Sequence, residues 1–253
     1  MRREPDGSTF PRAVATAGPC YDVSVVELTE VTVCYGEQKV VERVSFSVKR
    51  GTTTVLLGRS GSGKTTLLRC MNRMVTPTGG QVRVGGKATT EWDPITLRRR
   101  TGYVIQDAGL LPHYTVARNI GLVPELDGWD SGRIASRVAE LLQVVGLEPS
   151  LAARLPHQLS GGQRQRVGVA RALAADPPLL LCDEPFGALD PITRSELQRE
   201  FLRLSKELDT TIVFVTHDVR EALLLADRIV LLEAGSVAVH GTTAEFKTSD
   251  HLI

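Results

Sequence analysis

Gly58-Arg59-Ser60-Gly61-Ser62-Gly63-Lys64-Thr65 matches the spacing G-x-x-x-x-G-K-[ST], whose chemistry is the cradling of phosphate groups. The preceding Thr54-Val55-Leu56-Leu57 reads as a short buried strand, and the residues from Lys64 to Met74 as a helix. The string therefore leaves a strand and enters a helix. Its glycines let backbone N–H groups turn inward around phosphate oxygens, reinforced by the helix N-terminus. Lys64 supplies a point charge to β- and γ-phosphates, and the Thr65 hydroxyl can ligate Mg²⁺. Thr66 completes the candidate nucleotide-contacting run.

A second group of residues could do chemistry on such a phosphate. Leu179-Leu180-Leu181-Cys182 ends in Asp183-Glu184, two carboxylates at the C-terminal end of a strand, where parallel sheets place their ligands. Asp183 suits holding Mg²⁺, directly or through water. Neighbouring residues on a strand point to opposite sides, which frees Glu184 to orient or deprotonate an attacking water. His217 follows the apolar strand Ile212 to Thr216 and suits sensing a γ-phosphate. Gln106, ending a strand from Tyr103, could reach Mg²⁺ or water. Tyr35 could stack on adenine, against the plainer alternative of a core aromatic. Ser160-Gly161-Gly162-Gln163 opens a helix carrying Arg164, Arg166 and Arg171. Ser160 can cap it, leaving the N–H groups of its first turn to face an anion. An ordinary helix cap is the alternative. His113, His157 and the Arg98-Arg99-Arg100 run, read as a solvated helix end, receive no site role.

The elements that must position these residues are legible as a pattern. Alternating apolar and β-branched residues from Val23 to Val48 predict half-buried strands turning at Gly36-Glu37. Helices are expected over Val116–Leu122, Ser131–Val145, Gly162–Ala175 and Ile192–Leu208, and further strands over 81–84, 228–232 and 237–239. Strands alternating with helices imply a mostly parallel sheet covered on both faces. The expected fold is α/β with an inserted helical subdomain; by its phosphate loop it resembles the P-loop NTPase (RecA-like) type, with an N-terminal antiparallel β subdomain. Residues 1–22 read as a loose extension, because Arg2-Arg3 is followed by no apolar segment and Ala17-Gly18-Pro19-Cys20 by no lipidation context. The rest, 23–253, reads as one domain: a core over 23–108 and 163–245, and helices over 109–162.

Composition narrows the classes. The 253 residues are 42% hydrophobic and 23% charged with a net charge of +1, which gives no bulk electrostatic case for nucleic acid. No apolar run approaches the roughly 18–20 residues that cross a bilayer. The scattered Cys20, Cys34, Cys70 and Cys182 show no metal-ligand spacing and suit a reduced, cytosolic compartment.

In their order and approximate spacing, the phosphate loop, Gln106, Leu159-Ser160-Gly161-Gly162-Gln163, Asp183-Glu184, Ala188-Leu189-Asp190 and His217 resemble the ATP-binding-cassette family over about residues 24–240. The resemblance implies an ATPase using ATP and Mg²⁺. It also implies a head-to-tail homodimer in which Ser160 and Gly162 complete the partner's ATP site and Asp190 lies at the interface. Asp107 to Tyr114 would lie near a groove receiving a membrane subunit. Met71-Asn72-Arg73, 97–106, 123–129 and 186–194 are most similar to ATPases of osmoprotectant importers for glycine betaine, choline, carnitine or proline betaine. That resemblance places the chain at the cytoplasmic face of the cell membrane, beside permease subunits and indirectly a solute-binding protein. Many such ATPases carry CBS domains after the cassette; none is expected between His240 and Ile253. An importer ATPase for another amino acid or polar solute is the close alternative. A cassette ATPase acting on the ribosome, DNA or iron–sulfur assembly is the distant one.

Overall fold

The structure is a computed structural model that describes residues 24–207 and 210–248. The expected loose extension, Cys20 and Leu208 lie outside the described residues. In chain order the elements are β1 (Ser24–Tyr35), β2 (Gln38–Lys49), β3 (Thr53–Leu57), α1 (Lys64–Met71), β4 (Gly79–Val84), β5 (Lys87–Ala88), α2 (Pro94–Arg99) and β6 (Thr101–Val104). They continue with α3 (Val116–Leu126), α4 (Ser131–Val144), α5 (Gly161–Leu173), β7 (Leu179–Asp183), α6 (Pro191–Glu207) and β8 (Thr211–Thr216). The last are α7 (Val219–Leu225), β9 (Arg228–Glu233), β10 (Ser236–Thr242) and α8 (Thr243–Thr248).

Six strands form one sheet in the order β10-β9-β3-β8-β7-β6, parallel from β9 to β6 with β10 antiparallel at the edge. Its central strands are apolar throughout because both faces are covered. Leu56, Leu179, Leu181, Val213 and Val215 join one core with α1, Leu97 of α2 and the antiparallel strands. Val55, Leu180, Cys182, Ile212 and Phe214 join the other with α3 to α8. The period-2 alternation of side chains thus divides one apolar strand between two cores. The second sheet, β2-β1-β4-β5, is antiparallel and packs over the first core. This is the α/β architecture with an antiparallel subdomain that the sequence implies.

Several local readings needed correction. Helix α1 stops at Met71 rather than Met74: Asn72 Oδ1 accepts from Met74 N–H at 3.1 Å and Arg73 takes φ +54°. A side chain that bonds its own backbone offers an alternative to the next helical turn. Helix α3 passes Leu122 and runs to Leu126 through Pro124, which has no N–H to give the Ile120 carbonyl one turn back. Strand β6 ends at Val104, so Gln106 sits in the loop beyond it. Arg98 and Arg99 are not simply solvated: Arg98 donates to the Arg73 carbonyl at 2.7 Å and Arg99 to the Leu126 carbonyl at 2.9 Å. Helix α7 was not anticipated and α2 only through its Arg98-Arg99-Arg100 end, although Asp93-Pro94 and Asp218 are their capping signals.

Phe186, Phe201 and Phe214 form a buried aromatic cluster with centroids 5.5–5.9 Å apart, joining α6 to the sheet directly behind the carboxylate strand. Replacing Phe214 by Ala removes the shared ring. Denaturant unfolding is expected to show a loss of about 3–5 kcal/mol; a loss below about 1 kcal/mol would mean that the cluster does not anchor α6.

Candidate functional site

Parallel pairing brings four strand ends to one edge. The last paired residues are Leu57 with Thr216, Asp183 with Val215 and Val104 with Cys182. Immediately beyond them lie Gly58, His217 and Glu184, and Gln106 lies two residues past Val104. Residues distant in sequence therefore meet because their strands end together.

The phosphate loop joins β3 to α1 as expected. Lys64 is buried, and its ammonium donates to the carbonyls of Gly58 and Arg59, each at 2.8 Å. Burial pushes its pKa down, opposed by the charges of Glu184 and Asp183. Gly63 has φ +96°, and a Cβ there would stand 2.8 Å from the Val40 carbonyl of β2. The antiparallel sheet thus closes against the loop, and only glycine fits between them. Ser60, Gly61, Gly63, Lys64, Thr65, Thr66 and Glu184, with Val40, line a cavity of about 150 Å³. A larger one, about 780 Å³, lies on the other side of the loop beside His217 and Val219. The smaller space holds the converging chemistry. Ser62 Oγ is buried with no hydrogen-bond partner among the described residues, an orphaned polar atom that suits a loop built to receive an anion.

The two carboxylates diverge, but not by strand alternation. Strand β7 ends at Asp183, and Glu184 follows with φ +45°, a left-handed conformation costly for a non-glycine residue. Asp183 accepts from the Thr65 hydroxyl at 2.7 Å and from the Tyr103 hydroxyl at 3.1 Å. Thr65 and Asp183 are thus already joined as a hard oxygen pair that fits Mg²⁺. Tyr103, whose role the sequence did not disclose, has its pKa pushed up to about 12 by burial and then by Asp183, with Arg69 opposing. Glu184 turns instead to His217, with Oε2 and Nδ1 3.0 Å apart. A carboxylate only accepts, so this bond puts the proton on Nδ1. Gln106 is in the same neighbourhood: a Cβ on Gly187 would meet its Nε2 at 3.3 Å and Glu184 Oε2 at 3.7 Å. Tyr35 is 53% exposed at the tip of the β1–β2 hairpin, which removes the core-aromatic alternative.

The helix opened by Ser160 is built as a reciprocal cap. Ser160 Oγ accepts from Gln163 N–H at 3.2 Å, and Gln163 Oε1 accepts from Ser160 N–H at 2.9 Å. The side chains of Ser160 and Gln163 are therefore engaged with each other's backbone. The N–H groups of Gly161 and Gly162 remain in the first turn, where a helix supplies no internal partner. The arginines of α5 are ties. Arg164 donates to the Leu159 carbonyl at 2.8 Å, Arg166 to the Val145 carbonyl at 2.8 Å and to Glu200, and Arg171 to the carbonyls of Ala108 and Gly109. Gln165 adds a bond to the Ile105 carbonyl at 3.3 Å. The loop bearing Gln106 thus hangs from the helix that Ser160 caps. Asp190 caps α6 through the N–H groups of Ile192 and Thr193, and its pKa is lowered first by the Thr193 hydroxyl. A Cβ on Gly162 would lie 2.6 Å from Thr193 Cγ2, so these two helix starts touch.

Residues 41–187, more than half of the chain, match the ABC transporter family. The chain belongs to that family. The matched span holds the loop, Gln106, Ser160–Gln163 and both carboxylates, while Tyr35 and His217 lie outside it. The cassette is 50% identical over 217 residues to the glycine betaine uptake system ATP-binding protein YehX of Escherichia coli, spanning 86% of this chain and 70% of that protein. It is 49% identical to the glycine betaine/carnitine/choline transport ATP-binding protein OpuCA of Bacillus subtilis, covering 87% of this chain but only 58% of that protein. Among solved structures, the dimeric post-hydrolysis state of the ATP-binding cassette MJ0796 bound to ADP and Pi is 34% identical. It has a TM-score of 0.78 and covers 86% of this chain and 98% of that one. No helix among the described residues is long and apolar enough to cross a membrane.

The contact between Gly162 and Thr193 makes this glycine a packing requirement. Replacing Gly162 by Ala is expected to cost about 1–3 kcal/mol through overpacking. Adding Thr193→Ser, which deletes the facing methyl and keeps the hydroxyl on Asp190, should restore most of that loss. Thermal melting of the single and double variants checks this, and independent effects would refute the contact.

Proposed function

We propose that this chain is the ATP-hydrolysing subunit of an ABC importer that takes up a quaternary amine or related compatible solute through separate membrane subunits. One observation carries it: the phosphate loop, the Thr65–Asp183 pair and the His217–Glu184 pair converge at a single sheet edge. On nucleotide binding, Lys64 exchanges the Gly58 and Arg59 carbonyls for β- and γ-phosphate oxygens. The backbone from Ser60 to Thr66 surrounds the same phosphates, and Tyr35 offers its exposed ring to adenine. Thr65 and Asp183, with Gln106 directly or through water, would hold Mg²⁺, which neutralises charge on the phosphate oxygens when bound. Glu184 orients or deprotonates the water that attacks the γ-phosphorus, breaking its bond to the leaving ADP and yielding inorganic phosphate. His217, held by Glu184, contacts the γ-phosphate.

The first turn of α5 is exposed at Ser160 and Gly161, and in this reading it completes the ATP site of a second, head-to-tail copy. Asp190 then lies at the dimer interface. The dimeric cassette that this chain resembles at 34% identity supports a dimer. Closure and reopening of the dimer would drive permease subunits at the cytoplasmic face of the membrane, supplied by a solute-binding protein. The cargo rests on the relatives' names. A protein named for Fe(3+) ions import is 44% identical, so an importer ATPase for another small solute is the second reading.

Replacing Glu184 by Gln is expected to preserve ATP binding while lowering turnover by about 10²–10⁴-fold, and to accumulate an ATP-bound dimer on size-exclusion chromatography. Near-normal steady-state hydrolysis would remove Glu184 from its role. A Ser160→Arg chain and a Lys64→Ala chain should each be inactive alone. Mixed, they form a heterodimer with one complete site, so ATP hydrolysis should reappear; no recovery would refute completion of the site by the partner.

A further inference from the structure

Glu221, on α7, is a buried carboxyl group that the mechanism above does not use. Its Oε1 accepts from Gln198 Nε2 of α6 at 2.9 Å, which ties α7 to α6. Thr216 Oγ1 accepts from Asp218 N–H at 3.0 Å. The two residues flanking His217 are thus bonded to each other, and Asp218 also accepts from the Glu221 N–H at 3.3 Å. Asp218 caps α7 through the N–H groups of Arg220 and Glu221, which fixes the helix that carries the carboxyl. Burial raises the pKa of Glu221, with Thr216 and Gln198 opposing. A carboxyl kept in such a place without full ion pairing is a poor choice for stability alone.

The other side of the cluster leads to the loop before α6. Arg194 and Gln198 are four residues apart and share a helix face. Arg194 donates to the Leu189 carbonyl at 3.1 Å and reaches the Gly187 carbonyl at 3.5 Å. Its Nε–H is buried with no hydrogen-bond partner among the described residues, and its charge acts on Glu221. A path therefore runs from loop 187–190 through Arg194 and its helix neighbour Gln198 to Glu221, and from α7 through the Asp218 cap to His217, which pairs with Glu184.

We propose that Glu221 is a positioning residue for His217, and that Arg194, Gln198 and Glu221, with the Asp218 cap of α7, tie the placement of loop 187–190 to the His217–Glu184 pair. Displacement of that loop, which borders Asp190, would then move the histidine that the carboxylate holds. The inference rests on the reading of His217 and Glu184 as members of the hydrolytic site.

The test uses the whole chain carrying Glu221→Ala, Glu221→Gln or Gln198→Ala. Steady-state ATP hydrolysis, binding of a fluorescent ATP analogue, thermal melting and the ¹⁵N imidazole resonances of His217, assigned with a His217→Ala variant, are measured together. Glu221→Ala is expected to lower kcat by about 10–100-fold, as misplacement of a reacting group does, with analogue affinity unchanged and the His217 resonances displaced. Glu221→Gln keeps an acceptor for Gln198 and should restore most of both readouts. A folded Glu221→Ala chain with unmoved His217 resonances and unchanged kcat overturns the proposal. So does a Gln variant as impaired as the Ala variant. If the Ala variant does not fold, Gln198→Ala should give the same changes to a smaller degree, and no change there overturns the proposal. A wild-type chain that hydrolyses no ATP would refute the proposed function instead, while the His217 resonances still decide the role of Glu221.

Discussion

Everything at the site depends on the parallel pairing of β3, β8, β7 and β6. Because these strands run the same way, their C-terminal ends stand side by side. The start of the phosphate loop, His217 and Glu184 are the next residues on three of them, Asp183 is the last of β7, and Gln106 follows β6 by two residues. The ladder is rigid because each strand is buried on both faces, with alternate side chains committed to different cores. A slip of one residue would send Leu181 into the core of Leu180 and turn Asp183 away from Thr65. Packing and chemistry are thus set by one register.

The loops beyond the strand ends are held by polar ties rather than by regular structure. Arg171 and Gln165 fasten the Gln106 loop to α5, Asp190 caps α6, and Gly162 seats against Thr193. These bonds make the start of α5, the loop before α6 and the sheet edge parts of one connected body. Glu184 is the point of strain. Its left-handed backbone is what separates the two carboxylates, giving one to Thr65 and the other to His217.

Much of this was legible because the patterns are strong. The apolar strands at 53–57, 179–183 and 211–216 stand out, as do the phosphate loop and the Ser160 helix start. The Ser160–Gln163 reciprocal cap was written in the sequence as Ser-x-x-Gln. What escaped was set by side chains meeting backbone at long range. Arg98 and Arg99 looked like a solvated run, yet their partners are carbonyls at Arg73 and Leu126. Tyr103 and Glu221 carry no local sign of their partners, which come from β7 in one case and from α6 in the other. Short helices such as α2 and α7 give too few turns for a periodic signal.

The sequence by itself determined the inventory: a phosphate loop between strand and helix, a carboxylate pair, a histidine after a strand, and a capped glycine-rich helix start. Those are local patterns, set by residue type and spacing along the chain. Only the tertiary structure decided which of them meet. Thr65 found Asp183 across 118 residues and His217 found Glu184 across 33. Such partners depend on strand order and on the left-handed turn at Glu184, neither of which any local propensity contains.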